Sequence, residues 1–493
     1  MLFNSVTFVI FVCATFILYY LPLFRRHQVL TLVGCSFIFY AWNFPILLLL
    51  LVSSIAINAL SSYRVAYGPA NRRLLWATLG VVSNLAILSF FKYGRLLAQT
   101  FHLPMHGAAI SIASIPLPIG ISFYTFEGIS LLVDVLRTSR LSNFNDPATN
   151  ALALPTSFAE HFSKTALFIA FFPHLASGPI LKARNFYPQI NQKHLKDIPW
   201  FMVFRILTLG YFLKMVVADN LKDYTFWIDY PYFLSHNTVT LIVLLFGFSM
   251  QIFADFAGYS LIAIGIAQLF GYLLPDNFNF PYISRSLTEF WRRWHISLST
   301  WLRDYLYFPL GGNRKGRART YLNLMIVMFL GGLWHGAAWS FAVWGAYHGA
   351  GLMGERMLRS ALRRPENPDG PWKSGLSGTL KELLKATLVF GFVTLGWLLF
   401  KLTNFHQAVE YVRAIPLNRH IPINPMLILP VLIYSIPVLL YHWRYVVKHK
   451  LHWASRLQMV QDRVLASPIP YAVMLALIIV NSGSSNAFIY FQF

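Results

Sequence analysis

Apolar positions recur along this chain in runs close to the ~20 residues that a helix needs to span a bilayer. They fall at roughly 5–23, 29–42, 46–62, 74–91, 116–135, 164–181, 201–218, 237–254, 258–274, 383–401, 426–441 and 467–481. Short polar stretches carrying Arg, Lys, Pro and Gly separate them, so the pattern predicts an all-α polytopic integral membrane protein. The opening MLFNSVTFVIFVCATFILYYLPLF has no basic residue ahead of its apolar run and no small-residue cleavage site. It is expected to be the first membrane helix rather than a removed signal peptide.

Composition points the same way. Of 493 residues, 56% are hydrophobic and 12% charged, against about 25% charged in a soluble domain. Lys and Arg number 40 against 18 Asp and Glu, a formal charge of +22. On a soluble protein that excess would suggest nucleic acid. Here the basic residues sit between apolar spans and follow the positive-inside bias, so no nucleic-acid partner is expected. Clusters at Arg25 and Arg26, at Arg64, Arg72 and Arg73, and at 182–196, 314–319, 356–364 and 444–456 mark cytoplasmic loops, which puts both termini outside. Cys13 and Cys35 lie in apolar helices without CxxC or metal-like spacing and are expected to be buried packing residues. No internal repeat or separating linker is evident, and the longest polar interruption is 355–382, so the expectation is one membrane domain over 1–493.

Charge also locates an unusual residue. GGNRKGRAR (311–319) and ERMLRSALRR (355–364) are both basic and hence both cytoplasmic, so the 35 residues between them must leave and return. This predicts a helical hairpin, YLNLMIVMFL going in and FAVWGAYHGAGLMG coming back, with Gly331, Gly332 and Gly336 supplying the turn. His335, in GGLWHGAAW, then sits near the tip, roughly 20 Å deep in a hydrocarbon core about 30 Å thick. An ionisable group at that depth is costly and is a functional candidate. Of the 15 histidines, nine fall in predicted loops: His27, His102, His106, His194, His406, His420, His442, His449 and His452. His174 and His348 are expected to be core histidines bonded to carbonyls, and Glu127, Asp134 and Asp255 to pair with Arg or Lys.

The second candidate is His295, in LTEFWRRWHISLSTWLRDYLYFPLGGNRKG (287–316). At helical spacing Trp291, Trp294, Leu298, Trp301 and Tyr305 make one stripe and Arg292, His295, Ser299 and Arg303 another, which predicts an amphipathic interfacial helix. From 285 to 319 there are eight basic residues against two acids. Such a patch suits lipid headgroups or the phosphates of a cytosolic donor, because arginine forks match phosphate oxygens. Arg292, Arg293, Ser299, Arg303, Arg314 and Lys315 are the candidates for holding it. There is no GxxxxGK[ST], no HExxH and hence no zinc site of that kind, no GxSxG, and no histidine followed five residues later by aspartate.

Three stretches in this order and spacing resemble the membrane-bound O-acyltransferases. They are QIFADFAGYSLIAIG, FNFPYISRSLTEFWRRWHISLSTWLRDYLYFPLGGNRKG and GGLWHGAAWSFAVWGAYHG. They look most like the bacterial branch that holds the membrane subunits of alginate O-acetylation and of teichoic-acid D-alanylation. IPLPIGISFYTFEGIS (115–130), FFPHLASGPI (171–180) and the closing FIYFQF add to the likeness, which covers nearly the whole chain. The departure is DFAGYSLIAIG, where Ala257 and Leu261 stand in place of the Ser and Asp of the alginate-type pattern. Acetylated cellulose, peptidoglycan or another exported glycan therefore stands beside alginate as acceptor.

The resemblance implies a ring of about 11–13 transmembrane helices, with re-entrant and interfacial helices, around a central tunnel. It implies that His335, in the WHG motif, is catalytic and that His295, in RWHIS, assists by orienting the thioester or steadying developing charge. It further implies a protein of the bacterial inner membrane that holds no tightly bound cofactor. Such a protein takes an acetyl group from acetyl-CoA as donor substrate and hands it to a periplasmic serine-nucleophile O-acetyltransferase subunit acting on an exported polysaccharide. His335 is expected to serve as general base, since imidazole titrates near operating pH, with a covalent acyl-histidine as the mechanistic rival. Two other readings remain: D-alanyl transfer from a carrier protein, which competition by free CoA would separate, and a non-catalytic acyl or glycan-lipid transporter, which would carry paired broken helices in two halves.

Overall fold

The computed structural model describes residues 1–101, 118–141, 152, 154–175, 178–362, 376–449 and 467–483. The closing FIYFQF, the stretch 363–375, the basic residues from 450 to 456, His102, His106 and His452 lie outside the described residues, as do positions 116–117 and 176–177 of two apolar runs. Among the described residues every regular element is helical. In chain order the principal helices are α1 (Val6–Tyr20), α2 (Gln28–Ala41), α3 (Leu47–Tyr67), α4 (Arg73–Leu88), α5 (Gly94–Thr100), α6 (Ile121–Leu141), α7 (Phe158–Ala170), α8 (Trp200–Tyr211) and α9 (Asp219–Thr225). They continue with α10 (Thr238–Leu269), α11 (Leu287–Arg293), α12 (Ile296–Leu302), α13 (Gly316–His335), α14 (Trp339–Ala361), α15 (Leu376–Lys401), α16 (Phe405–Leu417), α17 (Pro425–His449) and α18 (Ile469–Val480). Among the described residues six helical segments are long and apolar enough to cross a membrane, and a seventh arises if α1 and α2, bent by 88°, count as one span.

The described chain clusters into two compact units, Met1–Leu207 with Ser260–Pro275, and Thr208–Tyr259 with Asp276–Phe493. In the first, polar side chains meet across apolar helices in matched pairs, because an unmatched group in such surroundings costs several kcal/mol. The amides of Asn58 on α3 and Asn84 on α4 donate to each other at 3.2 and 2.9 Å. Ser62 Oγ lies 2.8 Å from His161 Nε2. Glu127 is met not by Arg or Lys but by His174, whose Nδ1 stands 3.1 Å from its Oε1 with both side chains inaccessible. His174 thus has a carboxylate beside it where a carbonyl was expected. Asp134 accepts from the backbone N–H of Arg184 at 3.4 Å. Cys35 is buried as expected, whereas Cys13 is exposed on the surface of α1.

The runs 237–254 and 258–274, expected as two spans, are joined in one 32-residue helix, α10, which continues unbroken from Thr238 to Leu269. The acid that interrupts the apolar run, Asp255, does not break it, because Lys214 Nζ lies 2.7 Å from Asp255 Oδ1 and 2.7 Å from Asp219 Oδ1, all nearly inaccessible. Lys214 stands on a π-helical stretch, Phe212–Ala218, between α8 and α9. His442 is not in a loop: it is buried within α17 and its Nδ1 lies 2.8 Å from the Val438 carbonyl oxygen.

α13 and α14 form the predicted hairpin, but its turn is tighter than expected. α13 runs through Gly331 and Gly332 to His335, so only Gly336, Ala337 and Ala338 connect the two helices. Gly331 and Gly332 are helical, and Gly332 serves close approach instead: a Cβ there would overlap the carbonyl of Phe341 and come within 3.0 Å of Gly345 Cα. Reciprocally, a Cβ on Gly345 would overlap the Met328 carbonyl. Gly345→Ala should therefore destabilise the hairpin by about 1–3 kcal/mol through overpacking. Gly354→Ala, further along α14 with nothing within 4 Å, should be neutral or stabilising by up to about 1 kcal/mol. Thermal unfolding of the two variants in detergent checks the contrast, and equal midpoints would refute the close seam.

Candidate active site

His335 is the last residue of α13, 4% exposed, at the point where the chain turns. Its ring is held edge-on by three aromatic rings, Trp334 at 5.1 Å, Trp344 at 5.3 Å and Phe400 at 5.3 Å between centroids. A fourth neighbour is the imidazole of His295, 6.1 Å away and inclined by 49°. The two histidines singled out by sequence, 40 positions apart, thus meet.

The segment carrying His295 is not one amphipathic helix. α11 begins with Ser286, whose side chain accepts from the Glu289 N–H at 3.0 Å, and ends at Arg293. The chain then turns through Trp294 and His295, and His295 adopts φ 44°, ψ 54° before α12 starts at Ile296. A left-handed histidine costs of order 1 kcal/mol or more and persists only where surroundings over-determine it. Here the bracing comes from residues 277–279. The Asn279 N–H donates to the Arg293 carbonyl at 2.9 Å and the Ile296 N–H to the Asn277 carbonyl at 2.9 Å, on either side of the break. The Asn277 side-chain oxygen lies 3.4 Å from His295 Nδ1. His295 is wholly inaccessible, and burial pushes its imidazole down to about 3, so the ring is neutral.

A cavity of about 720 Å³ opens beside His335. Arg292, Ser299 and Arg303 line it, as their shared stripe predicts, and so do Glu355, Arg356 and Arg359 of α14. Glu355 ties the two walls together, since its carboxylate accepts from the Leu287 and Thr288 N–H groups at the start of α11 and from Thr288 Oγ1 at 3.0 Å, and it pairs with Arg359. The break after Arg293 and the π-helical turn Arg303–Tyr307 reset the helical phase. Arg292, before the break, and Ser299 and Arg303, after it, all line the cavity, whereas His295 does not.

The remaining candidates lie elsewhere. Arg293 is buried, its guanidinium 3.1 Å from Glu289 Oε1, donating to the Asn279 carbonyl at 2.9 Å and lying over the Tyr445 ring. Arg314 and Lys315 are exposed in the turn before α13, next to Asn313, which does line the cavity. Sequence pattern did not single out Glu355, Arg356, Arg359 or Asn277. The first three had a signal, an acid and two bases at helical spacing after an apolar helix, which charge counting assigned wholesale to a loop. His348 lies wholly buried against Trp291, Trp344 and Phe392, and neither ring nitrogen has a hydrogen-bond partner among the described residues, so the expected carbonyl bond is not made.

A helical membrane chain that brings two histidines together beside an arginine-lined cavity has the makings of a membrane-bound transferase. The match to the family model of the membrane-bound O-acyltransferases (MBOAT) spans residues 123–384, and the chain belongs to that family. It is a multi-pass membrane protein and an O-acyltransferase. It is 37% identical over 416 residues to the protein named "Probable alginate O-acetylase AlgI" of Azotobacter vinelandii, covering 81% of this chain and 76% of that one. It is 32% identical over 508 residues to the peptidoglycan O-acetyltransferase of Helicobacter pylori, covering 96% and 92%. The teichoic acid D-alanyltransferase of Bacillus subtilis is 28% identical over 300 residues, covering 59% and 70%.

The geometry separates two arginines that are adjacent in role on the sequence. Arg293→Ala, which removes one partner of a buried ion pair, should destabilise the protein by about 3 kcal/mol. Arg303→Ala, whose side chain is 53% exposed in its pair with Asp304, should cost less than about 1 kcal/mol. Thermal unfolding in detergent reads both, and an Arg303 variant as damaged as the Arg293 one would contradict the arrangement.

Proposed function

We propose that this protein transfers an acetyl group from acetyl-CoA, bound from the cytoplasmic side of the bacterial inner membrane, toward O-acetylation of an exported polysaccharide. The observation that carries the reading is the position of His335 on the wall of a cavity that four arginines also line, Arg292, Arg303, Arg356 and Arg359. Three phosphate groups and a pantetheine arm make CoA an anionic, elongated donor, and guanidinium forks suit phosphate oxygens. Ser299 adds a hydroxyl on the same wall. In this reading Arg314 and Lys315, exposed beside Asn313, meet the donor's outer phosphates, while Arg293 serves the fold.

His335 acts as general base. It takes the proton of an acceptor hydroxyl as that oxygen attacks the thioester carbonyl; the C–O bond forms, the C–S bond breaks, and the proton returns to the departing thiolate of CoA. Trp334, Trp344 and Phe400 fix the imidazole in place, as proximity catalysis requires. The acceptor is a serine-nucleophile transferase subunit outside the membrane or the glycan itself. The names of the relatives, alginate O-acetylase and peptidoglycan O-acetyltransferase, support an exported glycan as the final acceptor. Basic loops on the cytoplasmic side support termini that face outward.

The second reading, D-alanyl transfer from a carrier protein, draws on the likeness to the teichoic acid D-alanyltransferase. Purified protein in liposomes, given acetyl-labelled acetyl-CoA, a glycan acceptor and a periplasmic transferase, tests both. Wild type should consume thioester and pass on label, and His335→Ala should lose ~100-fold or more. Equal activity in the two proteins would remove His335 from the chemistry. An inert wild type that responds to an acylated carrier protein would move the donor to the second reading.

A further inference from the structure

We infer that Asn277 is a positioning residue that holds His295 in the tautomer with hydrogen on Nδ1, leaving His295 Nε2 to accept an N–H of His335 and so orient the base. The inference rests on the reading of His335 as that base. The atoms on Asn277 are identified by their partners. One side-chain atom receives the Ser297 backbone N–H at 3.4 Å and Ser297 Oγ at 2.6 Å. A backbone N–H only donates, so that atom is the amide oxygen and not the nitrogen. The same oxygen lies 3.4 Å from His295 Nδ1, and an oxygen that only accepts requires the hydrogen to be on Nδ1.

In a neutral imidazole the other nitrogen is then a lone pair. His295 Nε2 is buried and has no hydrogen-bond partner among the described residues, an arrangement that costs about 1–3 kcal/mol unless a donor reaches it. The rings packed on His295 are Phe256 at 4.6 Å, Trp334 at 5.9 Å and His335 at 6.1 Å. Phe256 has no donor. Of the two with an N–H, His335 alone also lines the cavity, and it alone has a second nitrogen through which the orientation reaches the substrate. Hydrogen bonds of catalytic groups are commonly long in the resting enzyme and tighten with substrate bound. The order Asn277, His295, His335, substrate hydroxyl follows the general logic of a base oriented by a further group. It also gives His295 a task other than steadying negative charge, because in this tautomer it has no N–H to offer an oxyanion.

The backbone makes the same commitment. The left-handed turn at His295 is braced by the Asn277 carbonyl through Ile296 and by the Asn277 side chain through Ser297, so one residue sets both the main-chain conformation and the ring tautomer.

The test is ¹⁵N spectroscopy of imidazole-labelled full-length protein in liposomes, with the His295 signals assigned by their loss in His295→Gln. Wild type should show a protonated Nδ1 and an unprotonated, hydrogen-bonded Nε2 at His295. Asn277→Leu should mix the tautomers and lower kcat 10- to 100-fold, the scale of lost orienting partners, with KM for acetyl-CoA unchanged. Asn277→Asp, which keeps an acceptor oxygen, should restore the tautomer and most of kcat. A wild-type His295 protonated on Nε2, or a tautomer unmoved in Asn277→Leu, overturns the inference. So does an Nε2 signal that shifts in Trp334→Phe but not in His335→Gln. The tautomer is read without turnover, so a wild type inert toward acetyl-CoA counts against the donor while the spectra still decide the role of Asn277.

Discussion

A polar or charged group inside an apolar interior has to find its partner within the chain, and most of the second unit follows from that requirement. Lys214 sits between Asp219 and Asp255, which is why α10 passes uninterrupted through an acid. Arg293 and Glu289 pair within the interior, Arg285 adds to the same carboxylate, and Glu355 satisfies the opening N–H groups of α11. The break at His295 is possible because the carbonyl and N–H groups it frees are taken up by residues 277–279. A helix interrupted in such surroundings without those bonds would leave backbone groups stranded; with them, the interruption becomes a rigid mount for a side chain.

That distinction explains what pattern in the chain could and could not disclose. Apolar runs and basic loops identify the helices and the α13–α14 hairpin, because burial and the positive-inside bias both act through composition. They misplace boundaries where pairing decides them, as at Asp255, whose partner Lys214 is 41 positions away. The depth argument reaches His335 directly, since it depends only on length between two charged clusters. The RWHIS stretch offered a regular 3.6-residue stripe through His295, and that stripe is right for Arg292, Ser299 and Arg303 and wrong for the histidine. Nothing in PDNFNFPY marks Asn277 beyond its polarity, because its importance lies in a contact 18 positions away that only the folded chain forms.

The family match and the geometry answer different questions. The match extends over both histidines and both hairpin helices, and it defines the chemistry as acyl transfer to oxygen. Which arginines face the cavity and which one holds the fold together is a matter of side-chain direction. Arg292 and Arg293 are neighbours in sequence with opposite surroundings, one on the cavity wall and one buried against Glu289 and Tyr445. A basic cluster counted as a single patch conceals this division of labour.

The seam between α13 and α14 also limits how the site can be re-engineered. Gly332 and Gly345 bring two backbones together with no room for a methyl group, so neither helix can be moved outward by enlarging residues there without dislodging His335. Away from those contacts α13 presents Leu324 and Val327 to the cavity. These side chains border open volume that can take up a change in their length, and the glycine contacts are left as they are. An attempt to widen the enzyme toward bulkier acyl donors therefore has one adjustable wall and one fixed one, and libraries spent on the glycine seam would sample mostly misfolded protein.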